Sequence, residues 1–104
     1  MPDFKTLAPQ QALIERSRPE VKLVDVRTVP ERREQHIPGS LHIPLQEFVA
    51  HYREDLSTQD EIILYCQHGV RSKQAALFLT SKGYADVAHM AGGLSVWNGP
   101  LESE

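Results

Sequence analysis

The feature that most constrains the fold is a short apolar run at residues 61–65, Glu-Ile-Ile-Leu-Tyr. A strand with one solvent-facing side alternates apolar and polar residues, whereas a strand covered on both faces is apolar almost throughout. The run is also short for a helix and has the usual length of a strand. Residues 61–65 therefore predict a central strand with further layers of structure on both faces of its sheet.

The rest of the chain alternates between strand and helix patterns. Further strands are predicted at residues 4–7, 21–26, 40–43 and 86–89, and helices at 9–17, 30–35, 45–54, 72–82 and 94–97. Strands that alternate with helices favour a parallel sheet with right-handed crossovers. The predicted fold class is therefore α/β and doubly wound, with a mostly parallel central sheet flanked by helices.

Two of these helices carry additional signals. In the helix over 45–54, apolar residues follow the i, i+3, i+4, i+7 spacing and predict one inner face, formed by Leu45, Phe48, Val49 and Tyr52. Gly83 is placed to end the helix over 72–82 in a left-handed cap.

Length and charge bound the class of protein. The chain has 104 residues and a formal net charge of −3, which predicts one domain over residues 1–104. A generic nucleic-acid binder would show a basic excess or stripe, and no apolar run approaches the roughly 18 residues of a membrane span. The first residues also lack the pattern of a signal peptide. We therefore expect a cytoplasmic protein with neither a nucleic-acid nor a membrane partner.

The single cysteine, Cys66, follows the predicted central strand directly. One cysteine excludes an internal disulfide and a metal site built from several cysteines. A lone cysteine is often only a small buried hydrophobe. In open α/β sheets, however, ligands bind beyond the carboxyl ends of the strands, and Cys66 occupies such an end.

The loop at residues 66–72, Cys-Gln-His-Gly-Val-Arg-Ser, joins this strand to a helix. A loop of this kind can curl around the sulfur, so that its backbone N–H groups form an anion-binding nest to which the helix start adds a positive field. Gly69 permits the backbone conformation that such a curl needs. Settings of this type lower the pKa of a cysteine from about 8.5 toward roughly 3.5–7.5 and yield the reactive thiolate. The loop predicts a nucleophilic Cys66 whose persulfide anion the same N–H groups hold.

Several short motifs follow one another in a specific order along the chain. They are Asp25-Val26-Arg27, His36-Ile37-Pro38-Gly39-Ser40 with His42-Ile43-Pro44, the loop at 66–72, Gly83-Tyr84, and Gly92-Gly93-Leu94 with Trp97. With this order and spacing the chain resembles a rhodanese-homology domain over nearly its whole length. The resemblance implies a doubly wound α/β fold and transfer of sulfane sulfur through a cysteine persulfide. The sequence departs from the family at Gln35, where glycine is usual, and at Arg32, where an aromatic is common, both expected to be remote from the cysteine loop.

The resemblance also implies roles for individual residues. Cys66 would be the catalytic sulfur carrier, and the substrate-binding cradle would comprise Gln67, His68, Gly69, Val70, Arg71 and Ser72. Asp25 and Arg27 match a pair near the site whose role is mainly structural. Glu31 matches an acid that commonly pairs with that arginine. For Arg71 the sequence leaves open both substrate binding and bracing of the loop, and for His68 both a substrate contact and simple exposure.

No cofactor or metal is predicted. His36 and His42 could suggest a metal pair, but the turn at Pro38-Gly39 lies between them and no cysteine or clear acidic partner completes a set. A structural or surface role is the favoured interpretation of both histidines.

Three classes of function fit these observations. The first is a rhodanese-type sulfurtransferase, with a small sulfane donor such as thiosulfate and a thiol or cyanide acceptor. The second is a phosphatase or arsenate reductase, because related folds use a Cys-to-Arg loop for oxyanions. The third is a sulfur-delivery or interaction module that serves a partner enzyme of cofactor or tRNA thiolation. Phosphatase loops have five residues between Cys and Arg, whereas four separate Cys66 from Arg71, so the first class is favoured over the second.

Overall fold

A computed structural model describes residues 3–104, and its centre is one parallel sheet. The strands are β1 (Lys5–Leu7), β2 (Val21–Asp25), β3 (Leu41–His42), β4 (Glu61–Tyr65) and β5 (Val87–Met90). Their spatial order is β1-β5-β4-β2-β3, and every pairing between them is parallel. The apolar strand β4 lies at the centre, which confirms the prediction made from residues 61–65.

Helices cover both faces of this sheet. They are α1 (Pro9–Glu15), α2 (Val29–Glu34), α3 (Leu45–Asp55), α4 (Val70–Ser81) and a 3₁₀ helix at Gly93–Val96. Alternate residues of β4 enter two separate apolar clusters, with Ile62 and Leu64 in one and Ile63 and Tyr65 in the other. This alternation is the two-residue period of a strand buried on both faces. The doubly wound α/β class is therefore confirmed.

The structure differs from the predicted pattern in α3 and α4. Phe48 and Tyr52 of α3 are buried, but Val49 is 69% exposed, so the prediction that Val49 lies on the inner face is wrong. Successive residues of a helix differ by about 100° in direction, which turns Val49 away from the side on which Phe48 packs. Helix α4 begins at Val70, two residues before the predicted start at 72. Gly69, in the left-handed region at φ 98°, lets the chain enter the helix this early.

Within residues 3–104, no helix is both long enough and apolar enough to cross a membrane.

A buried ion pair fixes the carboxyl end of β2. The Asp25 carboxylate has 0% exposure and accepts bonds from the Arg27 guanidinium at 3.0 Å through each of its oxygens. Arg32 of α2 adds a third guanidinium contact at 3.3 Å. Because a buried carboxylate is costly unless it is paired and hydrogen-bonded, this network ties the end of the strand to the helix that follows it.

We expect Asp25→Ala to lower the free energy of unfolding by about 3–5 kcal/mol, because loss of one partner leaves a buried charge without compensation. Asp86→Ala is the control, since the salt bridge of Asp86 with Lys5 is largely exposed and such pairs contribute about 0–1 kcal/mol. Urea denaturation measures both variants. Equal losses in the two variants would contradict the structural importance of the Asp25 network.

Candidate active site

Cys66 lies at the edge of the sheet where the parallel strands end. It follows the last residue of β4, and α4 begins four residues later, at Val70. The chain reverses at Gly69, the N-terminal cap of α4. The central strand and the start of α4 thus place the sulfur and a helix N-terminus side by side.

The loop curls around the sulfur of Cys66. The Gly69 N–H donates to Sγ at 3.0 Å and the Ser72 N–H donates to it at 3.4 Å. The Ser72 hydroxyl oxygen lies 3.6 Å from Sγ. Cys66 is only 1% exposed, so these donors replace water as the partners of the sulfur. Hydrogen-bond donors that surround a sulfur in this way stabilise its anionic form.

Further N–H groups of the same loop are available to an anion. Within residues 3–104, the backbone N–H groups of His68, Val70 and Arg71 donate to no hydrogen-bond acceptor. The last two belong to the first turn of α4, where helical N–H groups have no partner inside the helix. The loop can therefore bind negative charge beyond Sγ, at the place where the outer sulfur of a persulfide would carry it.

A backbone contact behind the loop fixes its orientation. The N–H groups of Leu94 and Ser95 donate to the carbonyls of Cys66 and Gln67, each at 3.0 Å. In a trans peptide the C=O and the following N–H point in opposite directions. The 3₁₀ helix therefore holds the two carbonyls on the outer side and turns the N–H groups of Gln67 and His68 away from itself.

Gly93 permits this approach of the 3₁₀ helix to the loop. A Cβ at Gly93 would overlap the Cys66 carbonyl oxygen and the Gln67 backbone, and Gly93 also has a positive φ of 62°. Gly92-Gly93 is part of the family pattern in the sequence, but this close approach of Gly93 to the loop was not predicted. The paired glycines were the available signal, since a glycine can mark a close approach of two backbone segments.

We expect Gly93→Ala to lower the free energy of unfolding by about 2 kcal/mol or more, because it adds overpacking to the strain of a positive φ. It should also greatly reduce the rate at which Cys66 is alkylated or persulfidated. Gly83→Ala is a matched control, because Gly83 has a φ of 90° and nothing within 4 Å of an added Cβ. A Gly93→Ala protein with the stability and Cys66 reactivity of Gly83→Ala would contradict the contact.

Arg71 braces the loop against α2. Its Nη1 and Nη2 donate to the two carboxylate oxygens of Glu31 at 2.7 and 2.8 Å. These bonds lower the pKa of Glu31 from its ordinary value to about 2, and the same pairing raises the pKa of Arg71. Among the two roles that the sequence left open for Arg71, the geometry favours bracing, because its guanidinium is already engaged by a carboxylate.

The expectation that Glu31 pairs with Arg27 is wrong. The Arg27 guanidinium is occupied by Asp25 and by the Gln35 carbonyl at 2.6 Å, and it reaches only the backbone carbonyl of Glu31, at 3.4 Å. Arg71, on the facing helix, is the cation that the Glu31 carboxylate meets. The family resemblance implied Arg27, whereas the pairing that forms joins residues 40 positions apart.

The buried ion pair also contacts the loop directly. Arg27 Nη1 donates to the side-chain oxygen of Gln67 at 3.4 Å. Arg32 and Gln35, expected to be remote from the cysteine loop, take part in the same network, because Arg32 contacts Asp25 and the Gln35 carbonyl accepts from Arg27. The two residues that depart from the family pattern therefore contact the ion pair that supports the loop, although neither contacts the loop itself through these bonds.

The histidines divide between backbone contacts and the surroundings of the loop. His42 Nε2 lies 2.7 Å from the Arg27 carbonyl oxygen and His36 Nδ1 lies 3.0 Å from that of Arg32. His68 lines a groove beside the loop together with His89 and Lys73. In the part of the chain from residue 3 onward, no group of His, Cys, Asp and Glu side chains is arranged to hold a metal ion.

We expect Glu31→Gln to lower the free energy of unfolding by about 1 kcal/mol at neutral pH, the upper range for a partly exposed ion pair. The pKa of Glu31 is lowered in the folded protein, so its stabilisation is complete above the ordinary carboxyl range and is lost as the pH falls toward about 2. The difference between parent and variant should therefore shrink in acid.

Glu34→Gln serves as the control for this comparison, because Glu34 is an exposed carboxylate on the same helix. Urea denaturation at a series of pH values measures all three proteins. A difference between parent and Glu31→Gln that stays constant down to the lowest pH would contradict the ion pair with Arg71.

Comparison with known proteins identifies the class to which this fold and loop belong. The family model of the rhodanese-like domain matches residues 8–100. The chain belongs to the rhodanese-like domain family, which confirms the resemblance seen in its sequence.

Particular relatives extend this result. The chain is 34% identical to the thiosulfate sulfurtransferase GlpE of Pseudomonas savastanoi pv. phaseolicola, and the match covers 100% of this chain and 96% of GlpE. It is 37% identical to YrkF of Bacillus subtilis, provisionally named a sulfur carrier protein. That match covers 79% of this chain but only 44% of YrkF, so the chain spans less than half of that relative.

Solved structures agree on the fold. A rhodanese-related protein from Thermoplasma volcanium has a TM-score of 0.87 at 23% identity, covering 97% of this chain and 100% of its own. A Rhodopseudomonas palustris protein of unknown function, described as a possible tyrosine phosphatase, has a TM-score of 0.79 at 28% identity and covers 95% of this chain and 85% of its own. A shared fold does not by itself determine function, so the candidate functions have to be distinguished by the geometry of the loop.

Proposed function

We propose that this chain is a sulfurtransferase that moves sulfane sulfur from a donor such as thiosulfate to a thiophilic acceptor through a persulfide on Cys66. The observation that carries the proposal is the set of N–H donors around Sγ, with Gly69 at 3.0 Å and Ser72 at 3.4 Å. The match to thiosulfate sulfurtransferases over the full length of the chain supports it.

The reaction proceeds in two displacements. The Cys66 thiolate attacks the outer sulfur of thiosulfate, a new S–S bond forms, and the old S–S bond breaks with its electron pair leaving on sulfite. The acceptor, cyanide or a thiolate, then attacks the outer sulfur of the persulfide. Cys66 leaves as a thiolate, and thiocyanate or the persulfide of the acceptor departs. Because Cys66 is the only cysteine, no internal thiol can release the sulfur as a disulfide.

The loop residues supply the stabilisation for both displacements. Residues 67–72 form the cradle, in which N–H groups that point at Sγ hold the thiolate, and the unclaimed N–H groups of the helix start hold the outer sulfur. Hydrogen bonds to a charged group contribute about 1.5–3 kcal/mol each. Arg71 adds positive charge beside the loop while its guanidinium remains bound to Glu31.

A free enzyme and a sulfur-delivery module would share the persulfide on Cys66 and would differ in the acceptor of the sulfur. The similarity to YrkF favours a protein acceptor as one candidate beside small thiols and cyanide. A cytoplasmic location and a single domain over residues 1–104 remain predictions from the sequence.

A phosphatase needs features that this loop lacks. A phosphoryl group requires donors aimed at three oxygens and, in general, an acid for the leaving group. Four residues between Cys66 and Arg71 make a smaller ring than the five of phosphatases. Two carboxylates of the network that supports the loop are already engaged, Asp25 by Arg27 and Glu31 by Arg71.

We expect Cys66→Ser to fold with the stability of the parent and to lose thiosulfate:cyanide sulfur transfer, because the hydroxyl is a far weaker nucleophile and carries no persulfide. Thiocyanate formation measures the activity, and circular dichroism with urea denaturation checks the fold. Ala50→Ser, on the exposed side of α3, is the control that should retain full activity.

The same preparations distinguish the phosphatase alternative. The parent should show negligible turnover of an aryl phosphate at every pH at which it transfers sulfur. Efficient aryl phosphate hydrolysis together with failure on all sulfane donors would replace the sulfurtransferase proposal with the oxyanion one. Retention of most of the transfer rate in Cys66→Ser would also overturn it.

A further inference from the structure

A hydrogen-bonded path leads from the sulfur to a buried histidine that the proposed reaction does not yet use. The Ser72 hydroxyl oxygen lies 3.6 Å from Cys66 Sγ and 3.1 Å from Nδ1 of His89. His89 belongs to β5 and is only 7% exposed. The sequence alone indicates no role for His89, which lies 17 positions from Ser72.

The path offers the thiol proton a route within the protein. Cys66 is 1% exposed, so its thiol has little contact with bulk water and a hydrogen-bonded neighbour is a nearer recipient of its proton. The Gly69 and Ser72 N–H groups that surround Sγ are donors only. The Ser72 hydroxyl oxygen is the neighbouring group that can both accept a proton from the thiol and hand one on.

The hydroxyl of Ser72 has one proton and two lone pairs, which allows two arrangements. When Cys66 is a thiol, S–H donates to Ser72 Oγ and the hydroxyl donates to His89 Nδ1. When the sulfur is a thiolate or persulfide, the hydroxyl donates to Sγ and a proton on His89 Nδ1 donates to Oγ. A hydrogen bond from the hydroxyl to the Gly69 carbonyl oxygen, 3.2 Å away, competes with both arrangements, because a carbonyl oxygen that accepts the N–H of Lys73 keeps a second lone pair.

We propose that His89 takes up, through Ser72, the proton that Cys66 loses, and releases a proton from Nε2 into the groove beside the loop. The S–H bond breaks, the hydroxyl proton of Ser72 moves to Nδ1, and the thiol proton replaces it on Oγ. Loss of the Nε2 proton to solvent leaves neutral His89 protonated on Nδ1. The proposal rests on the proposed function, since it supplies the thiolate for that reaction, and it makes His89 a positioning and proton-transfer residue.

The surroundings of His89 suit this role. Its ring lines the groove, and Nε2 has no hydrogen-bond partner among residues 3–104. Lys73 of α4 and His68 of the loop are the charged and titratable groups along the same groove. Phe4, which precedes β1, packs edge-on against the ring at 5.5 Å, and from β4 the paired residue is the apolar Leu64. Burial, and secondarily Lys73, lower the pKa of His89, which keeps the ring neutral and able to accept a proton near pH 7.

The test is nitrogen-15 NMR of the histidine rings, which reports which ring nitrogen carries the proton. At a pH above the midpoint of Cys66 alkylation, we expect His89 to be protonated on Nδ1 in the parent and on Nε2 in Cys66→Ala. Ser72→Ala should also lose the parent's arrangement, because it removes the connecting hydroxyl. The same tautomer in the parent and in Cys66→Ala would overturn the proposal.

A second measurement uses the pH dependence of Cys66 alkylation. His89→Phe should raise the alkylation midpoint by about one pH unit, equivalent to about tenfold lower reactivity below the midpoint. His51→Gln is the control, because His51 is an exposed histidine of α3 that pairs with Glu54, and it should leave the midpoint unchanged. An unchanged midpoint in a folded His89→Phe protein would contradict the proposal.

Neither measurement uses a sulfur donor. A protein that shows the His89 tautomer change but fails to transfer sulfur would keep this inference and overturn the proposed function. Sulfur transfer without any coupling between Cys66 and His89 would support the proposed function and overturn this inference.

Discussion

Asp25 places a carboxylate with 0% exposure at the carboxyl end of β2, where two arginines compensate its charge. The cost of burying this charge unpaired would exceed most other single interactions in a domain of this size. Arg27 is held in turn, and its remaining N–H groups reach the Gln35 carbonyl and the Gln67 side chain. One charge requirement thus aligns a strand end, a helix and the cysteine loop, and the site is built on that alignment.

The loop is held from three sides. Arg27 of the buried ion pair contacts the Gln67 side chain, and Glu31 of α2 binds the Arg71 guanidinium. Behind the loop, N–H groups of the 3₁₀ helix donate to two of the loop's backbone carbonyls. The 3₁₀ helix fixes the backbone direction, the other two contacts hold side chains of the loop, and none of the three occupies the inward N–H groups. Donors fixed in advance stabilise charge with little reorganisation when that charge forms, so the framework prepares Sγ for both the thiolate and the persulfide.

Local patterns predicted the parts of the molecule that depend on local physics. The apolar run at 61–65 located the central strand, and Cys66 with Gly69 located the loop. These predictions succeeded because a strand's burial and a glycine's backbone freedom depend on the residue types within a short segment. Three features were not predicted: the exposure of Val49, the pairing of Glu31 with Arg71, and the close approach of Gly93 to the loop. Each depends on how the helices pack in the folded protein, and the partners of Glu31 and Gly93 are distant in sequence. His89 was missed for the same reason, since only the sheet brings it to Ser72.

The central claim is that Cys66 carries the transferred sulfur atom. Intact-mass analysis of the parent after incubation with thiosulfate, with peptide mapping of the product, tests it most directly. We expect one added sulfur atom on the peptide that contains Cys66, removed when cyanide is added and absent after alkylation of the thiol. Turnover of thiosulfate with no adduct, or with the added sulfur on a peptide that lacks Cys66, would contradict it.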